Sequence, residues 1–195
     1  MNRKLIALGA ALIIVGMVTG CTATAQSSDA SAGASFSDGD FQVAEIAVAD
    51  RGEPVQFEGV IETGETVTSD DYRGEVLVVN FWYAACGPCI VEAPMLEEVF
   101  LRFQDEGVDF LGVNTYDQAE TALSFARENK VTYPSVIDVN DGQVKLAFAQ
   151  LTPIQATPTT LVMDRQGRLA ARIIGQLPSA SILSSIVADT LAEAP

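Results

Sequence analysis

Residues 76–98 read VLVVNFWYAACGPCIVEAPMLEE, and this stretch decides how the chain folds. It opens with a continuous run of apolar residues, which predicts a buried strand that is parallel to its neighbours, because neither face turns polar. From Ile90 onward the apolar residues recur every three or four positions, which predicts a helix. Cys86 and Cys89 therefore stand where a strand passes into a helix.

This position gives the two cysteines a chemistry. The first turn of a helix has unpaired N–H groups and the positive end of the helix dipole, so it stabilises an anion. We therefore expect a lowered pKa for the Cys86 thiol, which makes Cys86 the nucleophile. Cys89 follows one helical turn later, close enough to attack a mixed disulfide formed at Cys86. Pro88 fits between them, because the first turn of a helix does not need its missing N–H.

Two motifs resemble those of the thioredoxin superfamily. The first is NFW at 80–82 followed by CGPC at 86–89, and the second is ATPTTLVMD at 156–164, which resembles the cis-proline loop and the strand after it. Within the superfamily, the sequence from Val55 to Ala194 is similar to the membrane-anchored, extracytoplasmic TlpA/ResA-like thiol-disulfide oxidoreductases. The resemblance implies an α/β, thioredoxin-like fold with a central mixed β-sheet flanked by helices, an N-terminal β-hairpin and a TlpA-type insert.

The resemblance also assigns roles to individual residues. Catalysis is implied for Cys86, Cys89 and Glu92, the last being a family acid near the dithiol that would relay the proton of the resolving cysteine. Pro158 would be the cis proline, and the backbone of Thr157 before it would pair with the substrate. The residues implied in substrate binding are Trp82, Gly87, Pro88, Thr157 and Pro158. The alternatives are a solvated helix charge at Glu92, core filler at Trp82 and a trans turn proline at Pro158.

Two positions depart from the family pattern. Ala85, directly before the nucleophile, stands where thioredoxins and most TlpA-like proteins have Trp, and this opens the surface beside Cys86. Asn80 stands where cytoplasmic thioredoxin has a buried acid, so Glu92 becomes the expected proton acceptor. Neither change removes the dithiol. Both bear on the substrate and the reduction potential rather than on the type of reaction.

The start of the chain has the pattern of a targeting segment. A positively charged beginning precedes an apolar stretch at 5–18, which is short for a membrane span but typical of a signal peptide. The VTGC that follows at 18–21 resembles a bacterial lipobox, so we expect a lipoprotein signal peptide at 1–20 and a lipid on Cys21. The lipid would anchor the protein to the outer face of the cell membrane. The alternatives are an uncleaved anchor or ordinary cleavage nearby.

Residues 21–50 are rich in Ala, Ser, Thr, Gly and Asp and lack the apolar content of a core. They predict a flexible tether, although Phe41 and Val43 would allow a local strand. The tether would lead to a thioredoxin-like domain at 51–195. Within that domain the sequence predicts a hairpin at 55–73, further strands at 108–114, 135–139, 159–164 and 169–174, and helices at 118–129, 143–151 and 179–191.

The composition narrows the function further. Acidic residues outnumber basic ones by 26 to 11, and a net charge of −15 argues against a nucleic-acid ligand. The chain has no histidine, which excludes histidine-dependent triads and histidine metal sites. With Cys21 lipidated, the remaining two of the three cysteines form the redox pair, and we expect no metal site. No cofactor is expected beyond the redox-active disulfide of Cys86 and Cys89, and we expect a monomer.

These observations together predict an exported, membrane-anchored thiol-disulfide oxidoreductase that acts as a reductant, because its CGPC dithiol has the Gly-Pro pair of thioredoxin. The resemblance suggests apocytochrome c thiols or other disulfide-containing extracytoplasmic proteins as substrates, and a membrane thiol as electron donor. Three alternatives stay open at this point. A peroxiredoxin-like thiol peroxidase is disfavoured by Tyr83, where that class needs threonine, and a copper carrier of the SCO type by the lack of histidine. The third is a disulfide-donating oxidase of the same fold.

Overall fold

The computed structural model describes residues 35–38, 41–151, 154 and 156–193. The predicted signal peptide at 1–20 and the predicted lipidation site Cys21 lie outside the described residues. Among the helices in the described part of the chain, none has both the length and the hydrophobicity needed to cross a membrane.

Nine strands and four α-helices follow one another in the described residues. The strands are β1 (Ser35–Asp38), β2 (Phe41–Glu45), β3 (Glu58–Val60), β4 (Thr66–Thr68), β5 (Val76–Trp82), β6 (Val108–Asn114), β7 (Ser135–Ile137), β8 (Thr159–Met163) and β9 (Leu169–Ile174). The helices are α1 (Gly87–Phe103), α2 (Ala119–Asn129), α3 (Gln143–Ala149) and α4 (Ala180–Leu191). Short 3-10 helices lie at Val48–Asp50, Ser69–Tyr72 and Asp138–Asn140.

Seven of these strands form one mixed sheet in the order β1-β2-β9-β8-β5-β6-β7, and β3 and β4 form a separate hairpin. β5 pairs in parallel with β6, and β6 with β7, whereas the other pairs in the sheet are antiparallel. Every residue of β5 is buried, which confirms the predicted buried strand. The predicted parallel orientation holds only toward β6, because β8 runs antiparallel on the other side of β5.

The two faces of the sheet are covered by different elements. On one face, Val78 of β5 belongs to a hydrophobic cluster with Leu96 of α1 and Leu183 of α4. On the other face, Val79 of β5 belongs to a cluster with Phe148 of α3 and with apolar residues of the hairpin. Successive residues of a strand point to opposite faces, so an uninterrupted apolar strand fills both layers of the core.

This architecture confirms the α/β, thioredoxin-like fold expected from the sequence, with its central mixed sheet, flanking helices and N-terminal hairpin. The predicted strands and helices of the domain are all present, and their ends differ by at most a few residues. The resemblance places the TlpA-type insert around the strand predicted at 135–139 and the helix predicted at 143–151, and this segment forms β7, a 3-10 helix and α3. Its strand is shorter than predicted, because the chain turns into the 3-10 helix after Ile137.

The flexible tether predicted for residues 21–50 is wrong for its described C-terminal part. β2 pairs antiparallel with β9, with Gln42 opposite Ile174, so the sheet begins before residue 51. Phe41 is only 8% exposed and belongs to the cluster that includes α4 residues. The local strand that Phe41 and Val43 allow is therefore present, and pairing with β9 satisfies its backbone and makes it part of the main sheet.

Close packing beneath the end of β5 depends on one glycine. The indole Nε1 of Trp82 donates a hydrogen bond of 3.2 Å to Oγ of Ser135 on β7. Gly112 of β6 lies between them, and a Cβ there would come within 2.1 Å of Ser135 Oγ and 2.8 Å of Trp82 Nε1. A side chain at position 112 is therefore incompatible with this hydrogen bond in its present geometry.

Gly112→Ala should destabilise the protein by about 1–3 kcal/mol, the usual cost of overpacking a core. The added methyl group forces Ser135 or Trp82 to move and disturbs the hydrogen bond between them. Urea unfolding of the oxidised protein measures the change. Gly52→Ala is the matched control, because nothing lies within 4 Å of its Cβ position. Equal unfolding midpoints for Gly112→Ala and the unchanged protein would contradict the close contact.

Candidate active site

The predicted cysteine pair forms a disulfide at the start of α1. The two sulfur atoms are bonded, and the Cα atoms of Cys86 and Cys89 lie 5.2 Å apart. Cys86 is the N-cap residue of α1, with an extended backbone (φ −77°, ψ 107°), and Gly87 and Pro88 form an exposed first turn. The cysteines themselves are 3% and 2% exposed. The predicted position between strand and helix is confirmed.

The sulfur of Cys86 takes the place of an N-cap acceptor. It accepts a hydrogen bond from the backbone N–H of Cys89 at 3.2 Å. The first turn of α1 contains no acidic residue, so no carboxylate of that turn competes for the N–H groups or for the helix dipole. After reduction, the same N–H would stabilise a thiolate at Cys86. This geometry favours Cys86 as the nucleophile.

The loop before β8 approaches the Cys86 sulfur from another direction. The Thr157–Pro158 peptide bond is cis, as the resemblance implied. The carbonyl oxygen of Thr157 lies 3.9 Å from Sγ of Cys86. Thr159 Oγ1 donates a hydrogen bond of 2.8 Å to the Ala156 carbonyl oxygen and so ties this loop to the first residue of β8. The loop that the resemblance assigns to substrate binding is therefore next to the disulfide.

Glu92, one helical turn after Cys89, is buried with 1% of its surface exposed. Its Oε1 accepts a hydrogen bond from Asn80 Nδ2 at 2.8 Å, and its Oε2 accepts one from the Leu177 N–H at 2.9 Å. Asn80 also donates to Oγ1 of Thr160 at 3.0 Å. The Glu92 side chain thus joins α1 directly to β5 and to the loop before α4, and through Asn80 to β8. A solvated helix charge, the alternative weighed for this residue, is wrong.

Burial raises the pKa of Glu92 to about 7, because the ionised carboxylate is removed from water. The N–H donors of Leu177 and Asn80 act in the opposite direction, since they favour the ionised form. Desolvation is the larger effect. Near neutral pH the side chain is therefore present both as an acid and as a base, which suits proton transfer in either direction.

Glu92→Gln should change how stability depends on pH between 4.5 and about 7. In this window Glu92 ionises in the unfolded chain but stays protonated in the folded one. Its contribution to stability is therefore complete below pH 4.5 and is lost as the pH rises through 7. The total loss is roughly 3 kcal/mol for a shift of this size. Urea unfolding of both oxidised proteins across this range measures it, and a pH-independent difference between them would contradict the raised pKa.

Trp82, the last residue of β5, is buried beside the disulfide. It shares a hydrophobic cluster with both cysteines, and its ring centroid lies 4.4 Å from that of Phe125 on α2. Only 6% of its surface is exposed. Because Trp82 is buried, it is better placed to support the disulfide than to contact the substrate, the role that the resemblance assigned to it. Gly87 and Pro88 are exposed and remain available for contact with a substrate.

Asp117, which no sequence motif singled out, holds the loop that leads to Cys86. Its Oδ2 accepts hydrogen bonds from the Ala84 N–H at 2.6 Å and from Asn114 Nδ2 at 3.0 Å. Asn114 is the fully buried last residue of β6, and its Oδ1 accepts the Asp117 N–H at 2.7 Å. The position of Asp117 in the sequence could have indicated this role. Residues that follow two neighbouring parallel strands, here β5 and β6, meet at the same edge of the sheet.

Asp117→Ala should release the Ala84 N–H, whose exchange with solvent should become about tenfold faster, as expected for the loss of one hydrogen bond. Asp117→Asn is the matched variant, because its amide oxygen still accepts this bond. Amide exchange followed by NMR compares the two with the unchanged protein. If Ala84 exchanges equally fast in all three, Asp117 does not hold the loop.

The reactive groups at this site are one disulfide and one buried carboxyl group. In the described part of the chain, no group of three or more His, Cys, Asp or Glu side chains is placed to hold a metal ion. The first cysteine caps a helix and is bonded to a second cysteine, which follows one helical turn later. The pair lies next to a cis-proline loop in a protein with a mixed β-sheet. Together these features define a thioredoxin-fold protein with a disulfide centre. The AhpC/TSA family model matches residues 52–172, and the chain belongs to this family.

The chain is also similar to curated proteins named thiol-disulfide oxidoreductase ResA. It is 34% identical to ResA of Geobacillus thermodenitrificans (strain NG80-2) over 112 residues, which are 57% of this chain and 62% of that protein. It is 27% identical to ResA of Bacillus subtilis (strain 168) over 119 residues, 61% of this chain and 64% of that protein. The chain thus spans less than two thirds of the length of these relatives. The ResA-like resemblance of the motifs is confirmed.

Two solved structures have a similar fold. A secreted thiol-disulfide isomerase from Corynebacterium glutamicum is 25% identical. Its superposition has a TM-score of 0.71 and covers 83% of this chain and 99% of that one. A DsbF homologue from Corynebacterium diphtheriae is 27% identical, with a TM-score of 0.68 over 79% of this chain and 96% of that one.

Proposed function

We propose that this protein is a thiol-disulfide oxidoreductase that reduces disulfides in extracytoplasmic proteins. One observation carries the proposal: the Cys86 sulfur lies 3.2 Å from the Cys89 nitrogen and 3.9 Å from the Thr157 carbonyl oxygen. A sulfur in this position is activated by the helix terminus and faces a backbone segment suited to hold a substrate chain. The names of the ResA relatives and of the secreted isomerase support the same activity.

The reduced protein would act in two steps. The Cys86 thiolate attacks one sulfur of the substrate disulfide, forms a mixed disulfide with it, and expels the other sulfur as a thiolate that takes up a proton. The Cys89 thiol then loses its proton and attacks the Cys86 sulfur, which expels the second substrate sulfur as a thiolate that is also protonated. The dithiol gives up two electrons and two protons, including the proton that left Cys86 on ionisation. The product is the Cys86–Cys89 disulfide.

We assign the acceptance of the Cys89 proton to Glu92. The two residues are three positions apart in α1, which places them on neighbouring turns of the same helix face. With a pKa of about 7, Glu92 takes up a proton at neutral pH and releases it again without a large energy cost. The donors Asn80 and Leu177 hold both carboxylate oxygens and stabilise the ionised form that must accept the proton.

The oxidised protein needs a dithiol donor, because its disulfide must regain two electrons after each turnover. The apolar leader and the VTGC at 18–21 support an exported lipoprotein attached through Cys21 to the outer face of the cell membrane. On that face we assign the donor role to a membrane thiol protein. Apocytochrome c and other extracytoplasmic proteins with disulfides are the proposed substrates.

The reduction potential of the Cys86–Cys89 pair tests the direction of transfer. A reductant should equilibrate with thiol buffers near or below roughly −230 mV, whereas a disulfide donor would lie near −120 mV. The measurement uses the full chain with Cys21→Ser, so that the pair holds the only thiols. A potential near −120 mV would replace the reductase by the disulfide-donating oxidase of the same fold.

Turnover with insulin disulfides tests the roles of the two cysteines. Cys86→Ser should abolish reduction, because no nucleophile remains, and Cys89→Ser should stop at a mixed disulfide with Cys86 that can be isolated. Consumption of hydrogen peroxide is measured in parallel. Peroxide turnover without disulfide reduction would support the peroxidase alternative and overturn the proposal.

A further inference from the structure

A groove lies beside the disulfide, between the start of α1 and α2. Its volume is about 580 Å³. Ala84 and Ile90 line it on the side of the disulfide, and Glu120, Ser124 and Glu128 line it along α2. Ala84 lies two residues before Cys86, and Ile90 directly follows Cys89. The groove is therefore lined by sequence neighbours of the disulfide, although neither cysteine lines it.

Small and apolar side chains form the groove near the disulfide. Ala84 lines the groove with a side chain of one methyl group. Ile90 on α1 is 45% exposed although it is apolar, and it offers contact area to a bound chain. The hydrogen bond from the Ala84 N–H to Asp117 keeps this wall in place. The groove is thus a formed surface rather than a gap between loose loops.

The charged side chains that line the groove are both carboxylates. Glu120 and Glu128 are exposed, and Oε1 of Glu128 accepts a hydrogen bond of 3.3 Å from Oγ of Ser124, which holds it beside the groove. Arg127, the cation of α2, does not line the groove. A cationic segment would be attracted here and an anionic one repelled, because like charges placed together oppose binding.

The spacing of the two carboxylates indicates the length of the segment. Glu120 and Glu128 are eight positions apart in α2, or about 12 Å along the helix axis at 1.5 Å per residue. An extended polypeptide covers about 12 Å in three to four residues at 3.3 Å each. Two basic side chains at that separation would meet both carboxylates.

We propose that this groove is a specificity site for a cationic, extended stretch of the substrate polypeptide next to its disulfide. This inference rests on the disulfide reduction proposed above and adds the class of substrate. The substrate cysteine is placed at Cys86, the adjoining residues contact Ile90, and two Lys or Arg side chains pair with Glu120 and Glu128.

Peptides with one internal disulfide and an extended tail test the inference. One peptide carries Lys at two tail positions that are four residues apart, and the other carries Gln at the same positions. Both peptides are made in two series: in the first the tail precedes the disulfide, and in the second it follows the disulfide. In one of the two series, kcat/KM for the Lys peptide should exceed that for the Gln peptide by about fivefold, as expected for two exposed ion pairs. Glu120→Gln combined with Glu128→Gln should remove this preference.

The matched control combines Asp105→Asn with Glu106→Gln. It removes the same charge just beyond the far end of α1, a helix of 17 residues and therefore about 25 Å long. The control should keep the preference for the Lys peptide. If it loses the preference too, overall charge is responsible and the groove is not a specificity site.

Two further results separate this inference from the proposed function. If the unchanged protein reduces the Lys and Gln peptides equally well in both series, the groove is not a specificity site, whereas the proposed oxidoreductase activity is unaffected. Reduction of neither peptide, together with failure on insulin, would overturn both.

Discussion

The buried carboxyl group of Glu92 is the group on which the rest of the site depends. A carboxylate removed from water is tolerated only when its oxygens find hydrogen-bond partners, and Asn80 and Leu177 supply them. Through Asn80 the network reaches Thr160 on β8. One acid therefore fixes α1 against the two central strands and against the segment that leads to α4. The dithiol at the start of α1 is positioned by the same contacts.

The topology explains why three separate loops meet at the disulfide. β5 and β6 are parallel, so their C-terminal ends lie at the same edge of the sheet, and β8 is antiparallel to β5, so its N-terminal end lies there too. The first loop carries Cys86, the second carries Asp117, and the third carries Pro158. The strands are rigid and buried, while the reacting atoms are on the connections between them, where a substrate has access.

The sequence predicted the parts of this structure that depend on local pattern. Strand β5, helix α1 and the cysteine pair were recognisable because periodicity and motif lie within a few residues of one another. Glu92 was selected by resemblance, but its burial depends on the Leu177 backbone, far away in the chain. Asp117 was missed for a similar reason, since its bond to Ala84 joins two loops and leaves no periodic signal. A local strand at β2 was allowed by Phe41 and Val43, but its place in the main sheet depends on pairing with β9, which its own composition does not show.

The pairing of β2 with β9 also determines how far the folded unit can be shortened. A fragment that starts after Asp50 would leave the backbone groups of β9 that face β2 without a strand partner and would remove the cover that Phe41 gives to the core. An uncovered sheet edge accepts a strand from another molecule, so such a fragment would tend to associate with copies of itself. Residues that composition assigns to a spacer thus also protect the sheet of one molecule from joining the sheet of the next.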